Sequence, residues 1–177
     1  NLRLSISVTT RPRRPSEVDH VHYHFVSPRD FERMRERGEL LEWAEVHGNK
    51  YGTPRDPVER HLEEGSDVLF DIDWQGAAQI REAVAEDVVS IFVLPPSAEA
   101  LRARLERRAE DDAATIRRRL EAARDEMRHW AEYDYVVIND QLQDAFRGVE
   151  SILAAERLKR HRATGLTGFV DGLCADL

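Results

Sequence analysis

"DVLFDID" (Asp67–Asp73) decides the fold class. Val68, Leu69, Phe70 and Ile72 form an apolar run, which reads as a strand of the buried parallel kind. "WQGAAQIREAV" (Trp74–Val84) then has a helical pattern, and the alternation continues outward. "VVSIFVLPP" (Val88–Pro96) reads as another buried strand stopped by Pro95-Pro96, with Ser97 as N-cap of a helix from Ala98 to Arg108. A long helix is expected from Ala113 to Tyr133, "YVVIN" (Tyr135–Asn139) as a third buried strand, and a last helix from Leu142 to Arg160 with Leu142, Phe146, Val149 and Leu153 inward. Upstream, Leu2–Thr10 reads as one strand with Leu2, Leu4, Ile6 and Val8 on one face. Tyr23–Val26 is a short strand. A helix in "RDFERMRERGEL" ends at Gly38. "LLEWAEVHGNKYGTP" (Leu40–Pro54) turns at Gly48-Asn49, and a short helix over Val58–Glu64 stops at Gly65. The tail "TGLTGFVDGL" is glycine-punctuated and expected to be loose. Alternating strands and helices predict an α/β domain built on a parallel sheet.

Composition limits what such a domain does. A chain of 177 residues with 41% hydrophobic content buries a real core as one domain. No run of about 18 apolar residues occurs, so no membrane-spanning helix is expected. The single cysteine, Cys174, excludes an intrachain disulfide and favours a cytoplasmic protein. A formal net charge of -8 argues against a nucleic-acid binder. Lys50 and Lys159 are the sole lysines, so the basic residues are almost all arginine, the side chain with a planar fork for phosphate or carboxylate.

Several stretches carry groups able to do chemistry. In "SISVTTRPRR" (Ser5–Arg14) a strand ends in hydroxyls and then arginines, with Pro12 fixing how Arg11 and Arg14 project; an exposed basic turn is the plainer reading. In "HVHYHF" (His20–Phe25) three histidines share one strand face, but ligands from one straight strand do not wrap a metal tetrahedrally. The phenol of Tyr23 is the more interesting group. Asp71 and Asp73, spaced to point one way at the end of a strand, suit a water-held magnesium ion, a hydroxyl, or the cap of the next helix. Glu42 is either a core-edge acid or an acceptor for paired N–H donors. Arg104, Arg108 and Arg117 to Arg119, around "AEDDAA", form either a solvated basic face or an arginine-studded flap.

Taken in order and at these intervals, "SISVTTRPRRPSEVDHVHYHFV", "GELLEWAEVHGNKYGTP", "LFDIDWQGA", "FVLPPS" and "YVVIND" closely resemble the guanylate kinase family. The resemblance covers nearly the whole chain. It implies a three-layer parallel-sheet P-loop nucleoside monophosphate kinase fold and magnesium-dependent transfer of the terminal phosphate of ATP to GMP in purine nucleotide metabolism. It also implies one domain over 1–177, with a GMP-binding part at 5–56, core at 57–98 and 129–160, a lid at 99–128 and a tail at 161–177. By position, Ser7, Arg11, Arg14, Tyr23 and Tyr51 match the residues that hold the phosphate of GMP, and Glu42, Thr53 and Asp73 those that read guanine. Asp71 matches the acid near magnesium. Arg104, Arg108 and Arg119 match the arginines brought to the transferring phosphoryl group, and Asn139 and Asp140, beside Arg108, the adenine side.

These matches make physical sense. Guanine offers N1–H and N2–H2 side by side, and one carboxylate such as Glu42 accepts both. AMP lacks that pair and leaves the acid unmatched, which supports discrimination of about a thousandfold or more. Two departures stand out, Ala109 and Gln141, where the family often has glycine and an acid. A larger one is that no G-x-x-x-x-G-K-[ST] loop occurs in the chain, which begins at Asn1. The expectation is therefore a fragment without the first strand, the phosphate loop and the first helix, inactive as a kinase and able at most to bind GMP. The alternative is a noncatalytic guanylate-kinase-like domain that binds phosphopeptides in the same recess, which has no need of Glu42, Thr53 and Asp73.

Overall fold

A computed structural model describes residues 1–107 and 113–177. They divide into two compact units, Asn1–Val88 and Val89–Leu177.

In the first unit, β1 (Leu2–Leu4) pairs in parallel with β6 (Asp67–Leu69), Leu2 opposite Asp67. A second sheet has four strands. Its centre is β2 (Val8–Thr9), parallel to β3 (His24–Phe25) on one side and antiparallel to β5 (Asn49–Pro54) on the other, with β4 (Leu40–Val46) completing a hairpin with β5. The hairpin reverses through His47 and Gly48, whose φ values of 52° and 79° suit a primed turn matched to strand twist.

Side-chain alternation gives this sheet two different faces. Val8, Leu40 and Trp43 join Phe31 and Met34 of α1 (Pro28–Glu36) in the core cluster, where Phe31 is wholly buried. Ser27 caps α1 by accepting from Asp30 N at 3.1 Å, and Gly38 at φ 69° ends the turn that follows. Gly52 permits this packing, since a Cβ there would stand 3.0 Å from Leu40 Cδ1 and 3.3 Å from Phe31 Cζ. A register shift between Leu40 and Glu42 then turns Glu42, Thr53 and Tyr51 to the opposite face. α2 (Arg55–Glu63) leads into β6, and α3 (Trp74–Val84) follows it. Gln79 of α3 ties itself to β4, its amide accepting from Trp43 N at 3.2 Å and donating to Trp43 O at 2.7 Å.

In the second unit, β7 (Ile91–Leu94) and β8 (Tyr135–Ile138) form a parallel pair with Ile91 opposite Tyr135. The Asp134 carboxylate accepts from both the backbone and the hydroxyl of Ser90, locking the start of the pair. α4 (Ala98–Arg107), capped by Ser97, and α5 (Ala113–Glu126) precede a 3-10 segment, Met127–Glu132. α6 (Leu142–Arg157) and α7 (Leu166–Ala175) close the chain. No described helix is long and apolar enough to cross a membrane.

Five expectations need correction. Leu2–Thr10 is two strands, because β1 and β2 join different sheets and Ser5–Ser7 crosses between them; Ser5 N still bonds Leu69 O at 2.9 Å. The strand in "DVLFDID" ends at Leu69, and both parallel pairs are two-stranded with much apolar surface uncovered: Leu2, Leu4, Leu69, Val93, Val136 and Ile138 are exposed. The hairpin turns one residue earlier than Gly48-Asn49. On α6 the inward stripe runs through Ala145, Gly148, Ile152 and Glu156 with Val149 and Leu153 half-buried as expected, while Leu142 and Phe146 are exposed. Gly148 faces Val137 of β8, which stands 3.8 Å from its Cβ position, an ordinary packing distance. Finally, the tail is helical. Leu166, Phe169, Val170 and Leu173 fit a 3.6-residue period that Gly168 and Gly172 had obscured.

Candidate functional site

The first unit gathers two sets of functional groups on the face opposite α1. The set at one end centres on Glu42, only 4% exposed. Thr53, opposite it in the ladder, donates its hydroxyl to Glu42 Oε1 at 2.7 Å. Burial, and next the nearby charge of Asp73, push the Glu42 carboxyl up to about 7. The other oxygen, Oε2, sits against the first turn of α3 in the space left by the missing side chain of Gly76. Asp73 caps that turn, accepting from Gly76 N at 3.0 Å through one oxygen and from Gln75 Nε2 at 2.9 Å through the other. The capping reading of Asp73 therefore holds in the structure.

At the other end stand Arg11, Tyr23 and Tyr51. The threonine pair launches the arginine turn: Thr9 Oγ1 donates to Lys50 O at 3.1 Å, Lys50 N donates to Thr10 Oγ1 at 2.9 Å, and Arg11 N donates back to Thr9 Oγ1 at 3.2 Å. The Arg11 guanidinium lies 5.5 Å from the ring centre of Tyr23 and 5.7 Å from that of Phe25. Tyr23 and Tyr51 meet edge to face at 6.1 Å. Burial raises the Tyr23 phenol above its usual range, and the neighbouring Asp71 carboxylate adds to this. Asp71 is thus placed at this end, exposed beyond the end of β6. Ser7 is half-buried in the crossing between β1 and β2, and its carbonyl accepts from His24 N at 2.9 Å.

Spacing by two links the ends. Tyr51 and Thr53 share one face of β5, and Asp71 and Asp73 share the segment after β6; the first of each pair belongs to the arginine end and the second to the Glu42 end. The residues expected to hold a phosphate and a base are thereby brought together on one surface, as two adjoining clusters.

One participant was missed by the sequence reading. Glu17 accepts from Arg11 Nη2 at 2.7 Å and Nη1 at 3.0 Å, and from Arg14 N at 2.7 Å. Arg11 holds its carboxyl down at about 2. The signal was available as an acid six residues after an arginine in a proline-stiffened turn. The histidines, by contrast, do not share a strand: His20 stands at φ 63°, its Nδ1 lies 2.7 Å from His24 Nδ1, and the His22 ring accepts from Val18 N.

In the second unit, Arg104 of α4 donates from Nη2 to Asn139 O at 2.7 Å, so Arg104, Asn139 and the neighbouring Asp140 lie together at the end of β8. Arg119 is half-buried on α5. Arg108 and Ala109 lie outside the described residues.

Comparison with known proteins bears on what this surface is for. A family model described as guanylate kinase matches residues 1–156. The guanylate kinase of Chelativorans sp. is 62% identical over 173 residues, 98% of this chain and 79% of that protein. That of Agrobacterium fabrum is 59% identical over the same share of each. A crystal structure of guanylate kinase from Anaplasma phagocytophilum superposes with a TM-score of 0.84 at 39% identity, covering 97% of this chain and 84% of that one. The α/β fold is therefore that of the P-loop nucleoside monophosphate kinases, and the chain belongs to the guanylate kinase family.

Proposed function

We propose that the chain binds GMP along the surface from Glu42 to Arg11 and serves the reaction of ATP and GMP to ADP and GDP. The observation that carries this reading is the buried Glu42 carboxyl, raised to about 7 and set between Thr53 and Asp73. An acid left dry and unpaired by any cation costs stability, and it is explained by a ligand with paired N–H donors. Guanine has such a pair on its N1 and N2 edge. At the other end Arg11, Arg14, Ser7, Tyr23 and Tyr51 take the phosphate. Two cations mixed with neutral phenol and hydroxyl donors hold a monoester while leaving an oxygen able to attack.

Asp71 is the residue for magnesium. It is an exposed hard-oxygen donor beside the phosphate end, and one carboxylate, with water and substrate phosphates, suits the octahedral preference of that ion. When bound, magnesium neutralises charge on the phosphates in transfer. Arg104, Arg119 and Arg108 act on the same charge, and Asn139 and Asp140, with Arg108, border adenine. Residues 1–177 contain no G-x-x-x-x-G-K-[ST] loop. A cytoplasmic setting fits a nucleotide kinase with one cysteine.

The phosphopeptide alternative uses the arginine end alone and leaves the buried acid without purpose. Equilibrium titration separates the two: GMP is expected to bind, and phosphoserine or phosphotyrosine peptides are not. Peptide binding without GMP binding would overturn the proposal.

A further inference from the structure

Arg11 is placed to hold a phosphate, yet its end-on fork is already occupied by Glu17. A guanidinium has five N–H donors. Both hydrogens of Nη1 are committed, to Pro12 O at 2.8 Å and Glu17 Oε2 at 3.0 Å, and one of Nη2 to Glu17 Oε1 at 2.7 Å. What Glu17 and Pro12 leave is the side edge, Nε with the outer hydrogen of Nη2, which is itself a two-donor fork; the Tyr51 phenol, also assigned to the phosphate, hydrogen-bonds the same guanidinium. Glu17 Oε2 also accepts from Arg14 N, and Arg13 donates to the Glu17 carbonyl. One carboxylate thus closes the whole turn from Arg11 to Glu17 and fixes the guanidinium plane against Tyr23 and Phe25. Both side chains are largely covered, 14% exposed for Arg11 and 11% for Glu17.

We propose that Glu17 is the positioning residue of the phosphate clamp: by engaging Arg11 end-on and the Arg14 backbone, it presents the side edge of Arg11 to the phosphate of GMP. The inference rests on the GMP reading above. It differs from a latch, in which Glu17 competes with phosphate for one fork, because the donors left over form a second fork and Tyr51 also contributes to stabilising the guanidinium charge. Glu17 also tempers the local positive charge, so the bound phosphate is oriented without being fully neutralised.

The test is calorimetric titration of wild type, Glu17→Gln and Glu17→Asp with GMP and with guanosine. Loss of the carboxylate is expected to weaken GMP by about tenfold to a hundredfold, since a misaimed arginine loses its charge-assisted pair. Guanosine, which lacks the phosphate, should bind all three alike, and Glu17→Asp should recover part of the GMP affinity. The wild-type to Glu17→Gln ratio should stay level from pH 5 to pH 8, because a carboxyl held at about 2 remains ionised throughout. Unchanged or tighter GMP binding in Glu17→Gln overturns the proposal, and so does an equal loss for guanosine. Should wild type itself fail to bind GMP, the underlying reading falls instead.

Discussion

Thr53 donates its hydroxyl to Glu42 across the β4–β5 ladder at 2.7 Å, a neutral hydrogen bond to an acid that is 4% exposed. The neutral donors of Thr53 do not repay the desolvation of a carboxylate that also lies near the charge of Asp73, so the proton stays on until about pH 7.

On the proposed role of Glu42, guanine recognition depends on pH. The N1–H and N2–H2 pair is accepted by the ionised form, and below about 7 most of Glu42 holds a proton. The ratio of GMP to AMP affinity should fall about tenfold per pH unit below that point and level off above it. Using the ratio cancels the titration of the nucleotide phosphate. A ratio constant between pH 5.5 and pH 8 would contradict the assignment.

The same shift has an opposite consequence for stability. The folded state holds the Glu42 proton more tightly than the unfolded chain between about 4.5 and about 7. Stability therefore declines as pH rises through that window, and the full cost, about 1–3 kcal/mol, is present above it. Glu42→Gln keeps the Thr53 hydrogen bond and removes the charge. Its melting temperature should exceed that of wild type by several degrees at pH 8 and equal it near pH 4.5, as thermal melts in matched buffers will show.

Gly76 is expected to govern selectivity rather than folding. A Cβ there would overlap Glu42 Oε2 and stand 3.0 Å from its Cδ, so Gly76→Ala must move the carboxylate. The atoms displaced are the end of a flexible side chain, and alanine favours helix by about 1 kcal/mol over glycine. Gly76→Ala should melt within a few degrees of wild type yet lose about tenfold or more of its GMP affinity. Equal GMP binding would show that Oε2 has no part in reading the base.

In the second unit Glu156, 3% exposed, accepts from Tyr135 Oη at 2.6 Å and Lys159 Nζ at 2.7 Å, tying α6 to β8. These partners hold its carboxyl below the usual range, so the contribution to stability is present above that range and fades as pH falls. Glu156→Gln should lower the melting temperature at pH 7 and leave GMP affinity unchanged.

Much of this was legible in the sequence because local rules and tertiary packing agree. Gly38 marks the end of α1 by its turn chemistry, and "WQGAAQIREAV" coincides with α3. Asp71 and Asp73 could be paired off by a spacing of two. What was hidden depended on partners distant in the chain. The break between β1 and β2 follows from pairing with Leu69 on one side and Tyr51 on the other, and no periodicity within Leu2–Thr10 records it. The inward face of α6 is the one that carries Ala145 and Glu156, with Glu156 bonded to Tyr135 of β8, although Leu142 and Phe146 are more apolar. Glu17 is not legible because an acid in a basic turn reads as solvation until its two oxygens are seen on Arg11.

The most direct measurement is a calorimetric titration of wild type and Glu42→Gln with GMP and AMP at pH 8. The buried acid predicts that wild type prefers GMP by about a thousandfold or more and that Glu42→Gln loses most of that preference while still binding the phosphate. Equal affinities of wild type for GMP and AMP, or a preference untouched in Glu42→Gln, would contradict the reading of Glu42 as the residue that selects guanine.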